Sequence, residues 1–203
     1  MKKILVSQRV DVVPSYGEHR DALDQRWASF LAETGAVAIP APNHLKTVQF
    51  LLETIVPDGI LLSGGNSPVA YGGSAPERDK TDALLIDYAI SHKCPLAAVC
   101  RGMQSLILHF GGDLYQIEGH VTASHTVSGA ISREVNSYHT LAACGLPDSL
   151  ILLASAPDGA IEAVRHGELP MFAVMWHPER AIPFNCEDIT IFKNLWANGE
   201  IAL

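Results

Sequence analysis

The sequence predicts an α/β fold with a mixed, mostly parallel sheet flanked by helices, on three observations. Short runs that are apolar throughout suit strands buried on both faces. In the first half these runs alternate with segments of helical period, the pattern of strands wound by helices. In the second half the runs sit between turns without intervening helices, which suits antiparallel strands added to the same sheet.

Taken in order, Lys3 to Ser7 is the first buried strand, followed by a polar stretch from Gln8 to Tyr16. Leu23, Trp27, Phe30 and Leu31 recur at helical spacing, predicting a helix over Glu18 to Glu33 that Gly35 ends. Ala36 to Ile39 is a second strand, closed by Pro40 and Pro42. Thr47 to Ile55 reads as a short helix and Gly59 to Leu62 as a third strand. A loop rich in Gly, Ser and Pro follows from Ser63 to Pro76, then a helix from about Asp79 to His92. Leu96 to Val99 is a fourth strand that runs straight into Cys100, and Met103 to Phe110 reads as a helix stopped by Gly111-Gly112. Ser128 to Val135, Ser149 to Ser155, Ala160 to Arg165 and Met171 to Trp176 are the later β-like runs, and Cys186 to Trp196 is a closing helix. With no repeat, low-complexity tract or linker, the whole of 1–203 reads as one domain.

Composition narrows the function. Hydrophobic residues make up 48% and charged residues 18%, which excludes intrinsic disorder. A chain of this length buries roughly 70% of its unfolded surface, so it needs no metal or disulfide to fold. Fourteen basic against twenty-two acidic residues give a net charge of −8, with no basic run. That is the wrong electrostatic footprint for nucleic acid or an anionic membrane. Cys94, Cys100, Cys144 and Cys186 form no CxxC pair, and no Cys/His cluster has zinc spacing, so reduced thiols and no metal site are expected. Gln8, Arg9 and Asp11 interrupt the apolar start too early for a signal peptide, and no window approaches the roughly 18 apolar residues of a membrane span. A cytoplasmic protein is expected.

Three segments carry chemistry. In Leu96-Ala97-Ala98-Val99-Cys100-Arg101-Gly102 an apolar strand ends, one cysteine follows and a helix starts. Such a turn exposes a nucleophile above the sheet and points the first helical amides at its target, where they can hold an oxyanion. Gly102 lets the backbone turn where a side chain would collide. The competing reading of Cys100 is a small buried hydrophobe, the commonest fate of a free cysteine. A thiol nucleophile needs a base, and His177 lies in Trp176-His177-Pro178-Glu179 directly after an apolar run. Glu179 is placed to receive the far ring nitrogen and set the tautomer. Read alone, His-Pro-Glu is equally a solvated surface turn. The third segment, Ile60-Leu61-Leu62-Ser63-Gly64-Gly65-Asn66, runs an apolar strand into a glycine pair whose amides can approach a ligand closely.

Together, Cys-Arg-Gly-Met-Gln at 100–104, Trp-His-Pro-Glu at 176–179 and the Gly-Gly loop resemble the class I glutamine amidotransferases over most of the chain. Within that superfamily the chain looks most like the γ-glutamyl hydrolase branch (peptidase C26). The echoes are Ser-Gln-Arg after the first strand, Pro-Glu-Arg-Asp at 76–79, Gly-Gly-Asp-Leu-Tyr-Gln at 111–116 and Val-Asn-Ser-Tyr-His at 135–139. The resemblance implies an α/β-hydrolase-like sandwich and a γ-glutamyl thioester on Cys100. It implies His177 as base and then acid, with Glu179 orienting it and the amides of Gly65 and Arg101 holding the oxyanion. It further implies that Gly64, Gln104 and the strand of Ser137, Tyr138 and His139 bind the glutamyl end. No cofactor is implied. The partner is a small γ-glutamyl molecule, and a homodimer is one assembly open to the chain.

The chain is short for the polyamine-pathway and folate members, and its loop after Gly65 is trimmed. Its length, and the pattern of Tyr16, Arg20, Leu23 and Trp27, resemble the small bacterial hydrolases that act on γ-glutamyl-CDP-amidate in capsule phosphoramidate synthesis. Trp27 and Leu23 also read plainly as core. Arg9 follows the first strand, where ligands of open α/β sheets sit, and can hold a diphosphate bidentately. Pairing with Asp11 or Glu18 on a solvated loop is the equal alternative. His120 and His125 stay unassigned. Two other functions compete: a glutaminase subunit delivering ammonia to a separate synthase, and a ThiJ-type stress protein, which lacks a late His-Pro-Glu.

Overall fold

A computed structural model describes residues 1–201. Five strands form its parallel half: β1 (Lys2–Val6), β4 (Ala36–Pro40), β5 (Gly59–Leu62), β6 (Leu96–Val99) and β13 (Met171–Val174). They lie side by side in the order β4-β1-β5-β6-β13. The sheet then continues antiparallel through β12 (Ile161–His166), β11 (Leu150–Ser155), β8 (Val121–Gly129) and β9 (Arg133–Tyr138).

Both faces of the parallel half are covered, which is why its strands read as unbroken apolar runs. Ile4, Val6, Leu61, Ala97, Phe172 and Val174 point to one face. There they meet Trp27, Phe30 and Leu31 of α1 (Arg26–Glu33) and Phe192, Leu195 and Trp196 of α5 (Cys186–Asn198). Leu5, Ile60, Leu62, Leu96 and Ala98 point to the other. They pack on Val48 and Leu52 of α2 (Leu45–Ile55), Leu85 and Ile86 of α3 (Pro76–His92), and Met103, Leu106 and Ile107 of α4 (Arg101–His109). Alternate residues of a strand thus serve two separate cores.

Several expectations need correction. The helix expected over Glu18 to Glu33 begins only at Arg26. Glu18 to Ala22 is instead β3, paired with β2 (Arg9–Val13) across a turn at Gly17, whose φ is +69°. Glu18, His19, Arg20 and Asp21 offer no apolar side chain to bury, so a helix there would have no face to pack. The polar stretch at 8–16 accordingly contains a strand. Ser128 to Val135 spans the turn between β8 and β9, because β8 is mostly exposed and its polar run hides it. Met171 to Val174 pairs parallel with β6, not antiparallel as its place in the second half suggests. Two short strands, β7 (Leu114–Gln116) and β10 (Leu141–Ala143), pair with each other apart from the main sheet and leave no sequence signal. Among the described residues no helix is long and apolar enough to cross a membrane.

Candidate active site

The carboxyl ends of the parallel strands meet where the sequence motifs place the chemistry, as expected for an open α/β sheet. β6 delivers Cys100, β13 leads through Met175 and Trp176 to His177, and β5 leads into Ser63-Gly64-Gly65. Cys100 has φ 52° and ψ −105°, a conformation that non-glycine residues avoid. The amide of Cys100 donates to Val174 O at 2.7 Å, extending the β6–β13 ladder, while its carbonyl accepts from Gln104 N at 3.1 Å, opening α4. The chain thus turns from strand to helix within one residue. A Cβ on Gly102 would collide with the carbonyl of Leu62, so glycine is required there.

His177 and Glu179 are both buried, and His177 Nδ1 lies 2.7 Å from Glu179 Oε1. The backbone of His177 is fixed by Asn136, whose side chain accepts from His177 N at 2.8 Å and donates to its carbonyl at 2.9 Å. Its ring lies over Gly64, where a Cβ would come within 2.5 Å of His177 Cε1. Burial pushes His177 down, but hydrogen bonds with Cys100 and Glu179 outweigh it and hold the imidazole up at about 9. A group raised above its unfolded value of 6.5 contributes stability fully below that pH and loses it as pH climbs through 9. The Tm advantage of the protein over its His177→Asn variant should therefore shrink between about pH 6 and pH 9.5. A constant difference across that window would contradict the assignment.

The Gly-Gly loop is held from below. Arg78, wholly buried, donates to Ser63 O at 2.5 Å, to Gly64 O at 3.0 Å and to Gly65 O. Burial pushes its guanidinium down to about 10, opposed by Asp82. Arg101 ion-pairs with Asp82 at 2.7 Å and with Asp79 at 2.5 Å. α3 therefore carries one charge network that reaches both the glycine loop and the first residue after Cys100. Asn66 ties the loop to β2, accepting from Val10 N at 2.8 Å and donating to Val10 O at 2.9 Å.

A cleft of about 240 Å³ joins these parts. It is lined by Gly65, Cys100, Arg101, Gln104, Tyr138, His139 and His177 among the expected residues. Four expectations differ. Gly64 packs against the His177 ring rather than lining the cleft. Ser137 is buried beneath it, its hydroxyl donating to His120 O at 2.8 Å. Arg9 pairs with Asp11 at 3.2 Å, half exposed, and its stem packs on Gly65 at the rim. The imidazole of His139 also turns away, toward Glu162 at 3.2 Å.

Sequence reasoning misses Arg180, which lines the cleft with its guanidinium 4.6 Å from the Tyr138 ring centroid. Tyr138 in turn meets His177 edge-on at 5.6 Å. Arg180 directly follows Glu179, and that adjacency is its only signal. A larger depression of about 630 Å³ lies at the opposite ends of the strands, near Lys2, Lys93 and Pro170, and no cysteine lines it.

Fold and site together define a class I glutamine amidotransferase domain. The model of that family matches residues 13–191, and the chain belongs to the family. Among its relatives is γ-glutamyl-CDP-amidate hydrolase of Campylobacter jejuni, 29% identical over 93% of this chain and 94% of that one. Another is γ-glutamyl-γ-aminobutyrate hydrolase of Escherichia coli O157:H7, 30% identical over 80% of each chain. The fold is shared with a glutamine amidotransferase from Thermotoga maritima, with a TM-score of 0.68 and 14% identity over 95% of this chain and 82% of that one.

Proposed function

We propose that this protein hydrolyses a γ-glutamyl amide through a γ-glutamyl thioester on Cys100. The observation that carries the reading is one cleft holding a cysteine at a strained elbow beside a buried His–Glu pair. His177 takes the thiol proton and Cys100 Sγ attacks the γ-carbonyl carbon. The resulting oxyanion faces the amides of Gly65 and Arg101. The C–N bond breaks as His177 returns the proton to the departing nitrogen. Water, deprotonated by His177, then attacks the thioester and releases glutamate, restoring the thiol. Glu179 holds the imidazole in the tautomer this requires. Gln104 and Tyr138 bind the glutamyl end, and Arg180 supplies a positive charge for its α-carboxylate.

For the leaving group we infer γ-glutamyl-CDP-amidate as substrate, with cytidine diphosphoramidate as product. The nearly full-length likeness to the Campylobacter jejuni hydrolase supports this. So does Arg9 at the rim, free to exchange Asp11 for a diphosphate. The test is a hydrolysis screen of glutamine, γ-glutamyl-γ-aminobutyrate and γ-glutamyl-CDP-amidate, read by glutamate release. Arg9→Ala should lower kcat/KM for the CDP-amidate by roughly tenfold or more, since charge-assisted hydrogen bonds contribute about 1.5–3 kcal/mol. Glutamine hydrolysis should stay almost unchanged in that variant. Equal losses on both would make Arg9 structural. Glutamine turning over as fast as every conjugate would favour a glutaminase subunit instead.

A further inference from the structure

Behind the cleft, three histidines converge on one buried carboxylate. His120 precedes β8, His125 lies on it, His139 follows β9 and Glu162 is on β12. His120 Nδ1, His125 Nε2 and His139 Nε2 lie 3.3, 3.3 and 3.2 Å from Glu162 Oε1. His120 Nδ1 is also 3.1 Å from His139 Nε2. His120, His139 and Glu162 are almost wholly buried, and His125 largely so.

The other ring nitrogens decide what these atoms are. His139 Nδ1 is 3.1 Å from the carbonyl of Leu141, which only accepts, so Nδ1 carries the proton. His120 Nε2 is 2.9 Å from an Asp158 carboxylate oxygen and carries its proton there. In the neutral rings, His120 Nδ1 and His139 Nε2 then present lone pairs to each other and to a carboxylate. That arrangement is repulsive unless something positive sits between them. His125 Nε2 and Glu162 Oε2 are buried and have no hydrogen-bond partner. A ring nitrogen oriented by a carboxylate or backbone carbonyl on its far side is the usual support of a metal-bound histidine. The separations from Glu162 Oε1 agree too, since atoms roughly 2.0–2.1 Å from a zinc ion at tetrahedral corners lie about 3.3 Å apart.

We propose that His120, His125 and Glu162 form a site for a divalent transition ion of the zinc type, with His139 beside it as the fourth donor. The ion would pin the segment carrying Tyr138 to β12 and so brace the cleft wall, apart from the Cys100 chemistry. No local pattern hints at it, because the ligands come from four separated positions and only the fold gathers them.

The test uses the full chain with Cys100→Ala, so that the elbow thiol cannot compete, stripped by chelator and titrated with zinc chloride. One ion per chain should bind with Kd below about 1 μM, as expected for a site of this ligand count. At a hundredfold excess over Kd it should raise Tm by about 5–10 °C. His120→Asn and His125→Asn should each weaken binding by about 100-fold or more. Binding unchanged in the variant carrying both substitutions, or no bound ion at about 100 μM zinc, would overturn the proposal and leave a shared proton as the positive element. Should those variants fail to fold, cobalt(II) added to the stripped parent decides. Strong visible bands of tetrahedral cobalt support the site, and their absence refutes it.

Discussion

Cys100→Ala or Cys100→Ser should abolish glutamate release from the best γ-glutamyl substrate while leaving the protein folded. A loss of roughly four orders of magnitude or more is expected when the nucleophile of such a unit is removed. The elbow survives because sulfur does not build it. The hydrogen bond from the Cys100 amide to Val174 O, the turn into α4 and the absence of a Cβ at Gly102 set the backbone. Alanine and serine meet the same φ of 52° at comparable cost. Glutamate release and mass spectrometry of the acyl-enzyme check this together, since the covalent adduct must vanish with the rate. More than a few per cent of the original activity, in a preparation free of contaminating amidase, would contradict the mechanism.

The second large effect is expected at His177. His177→Asn should lose nearly as much as the cysteine change, because without the imidazole the thiol has no base and the leaving nitrogen no acid. Glu179→Gln should be milder, since the amide keeps the volume and an oxygen near His177 Nδ1 but loses the charge. Groups acting as one unit give losses far from additive. Cys100→Ala with His177→Asn should therefore be little worse than Cys100→Ala alone, measured as kcat/KM. A double variant that loses the product of the two separate factors would show independent roles and break the triad assignment.

Particular residues show why some of this is legible in the chain and some is not. The four-residue strands Gly59–Leu62 and Leu96–Val99 are legible with their observed limits. Both are buried on both faces, so their residues carry no polar side chain and the pattern is local. β8 and β3 are largely exposed, carry polar residues freely and leave no such trace. Pro-Glu-Arg-Asp at 76–79 is visible as a motif, yet nothing local says that Arg78 reaches three loop carbonyls and Arg101 reaches Asp79. Val-Asn-Ser-Tyr-His at 135–139 is likewise visible. Its residues divide their work: Asn136 holds the His177 backbone, Tyr138 lines the cleft, and Ser137 and His139 turn to the interior.

From residue order alone come the first four strands of the parallel half, the elbow at Cys100 and the residues nominated as nucleophile, base and orienting acid. Each depends on neighbours a few positions away: an apolar run, a glycine after the cysteine, a proline and a glutamate after the histidine. Tertiary structure decided the rest. It put Cys100 and His177 in one cleft, made Arg78 a support for the glycine loop, moved Arg9 to the rim and gathered three histidines around Glu162. Those outcomes depend on which polar groups must find partners once buried. That is settled by strands brought together from distant parts of the chain, and no short window of sequence contains both halves of such a pair.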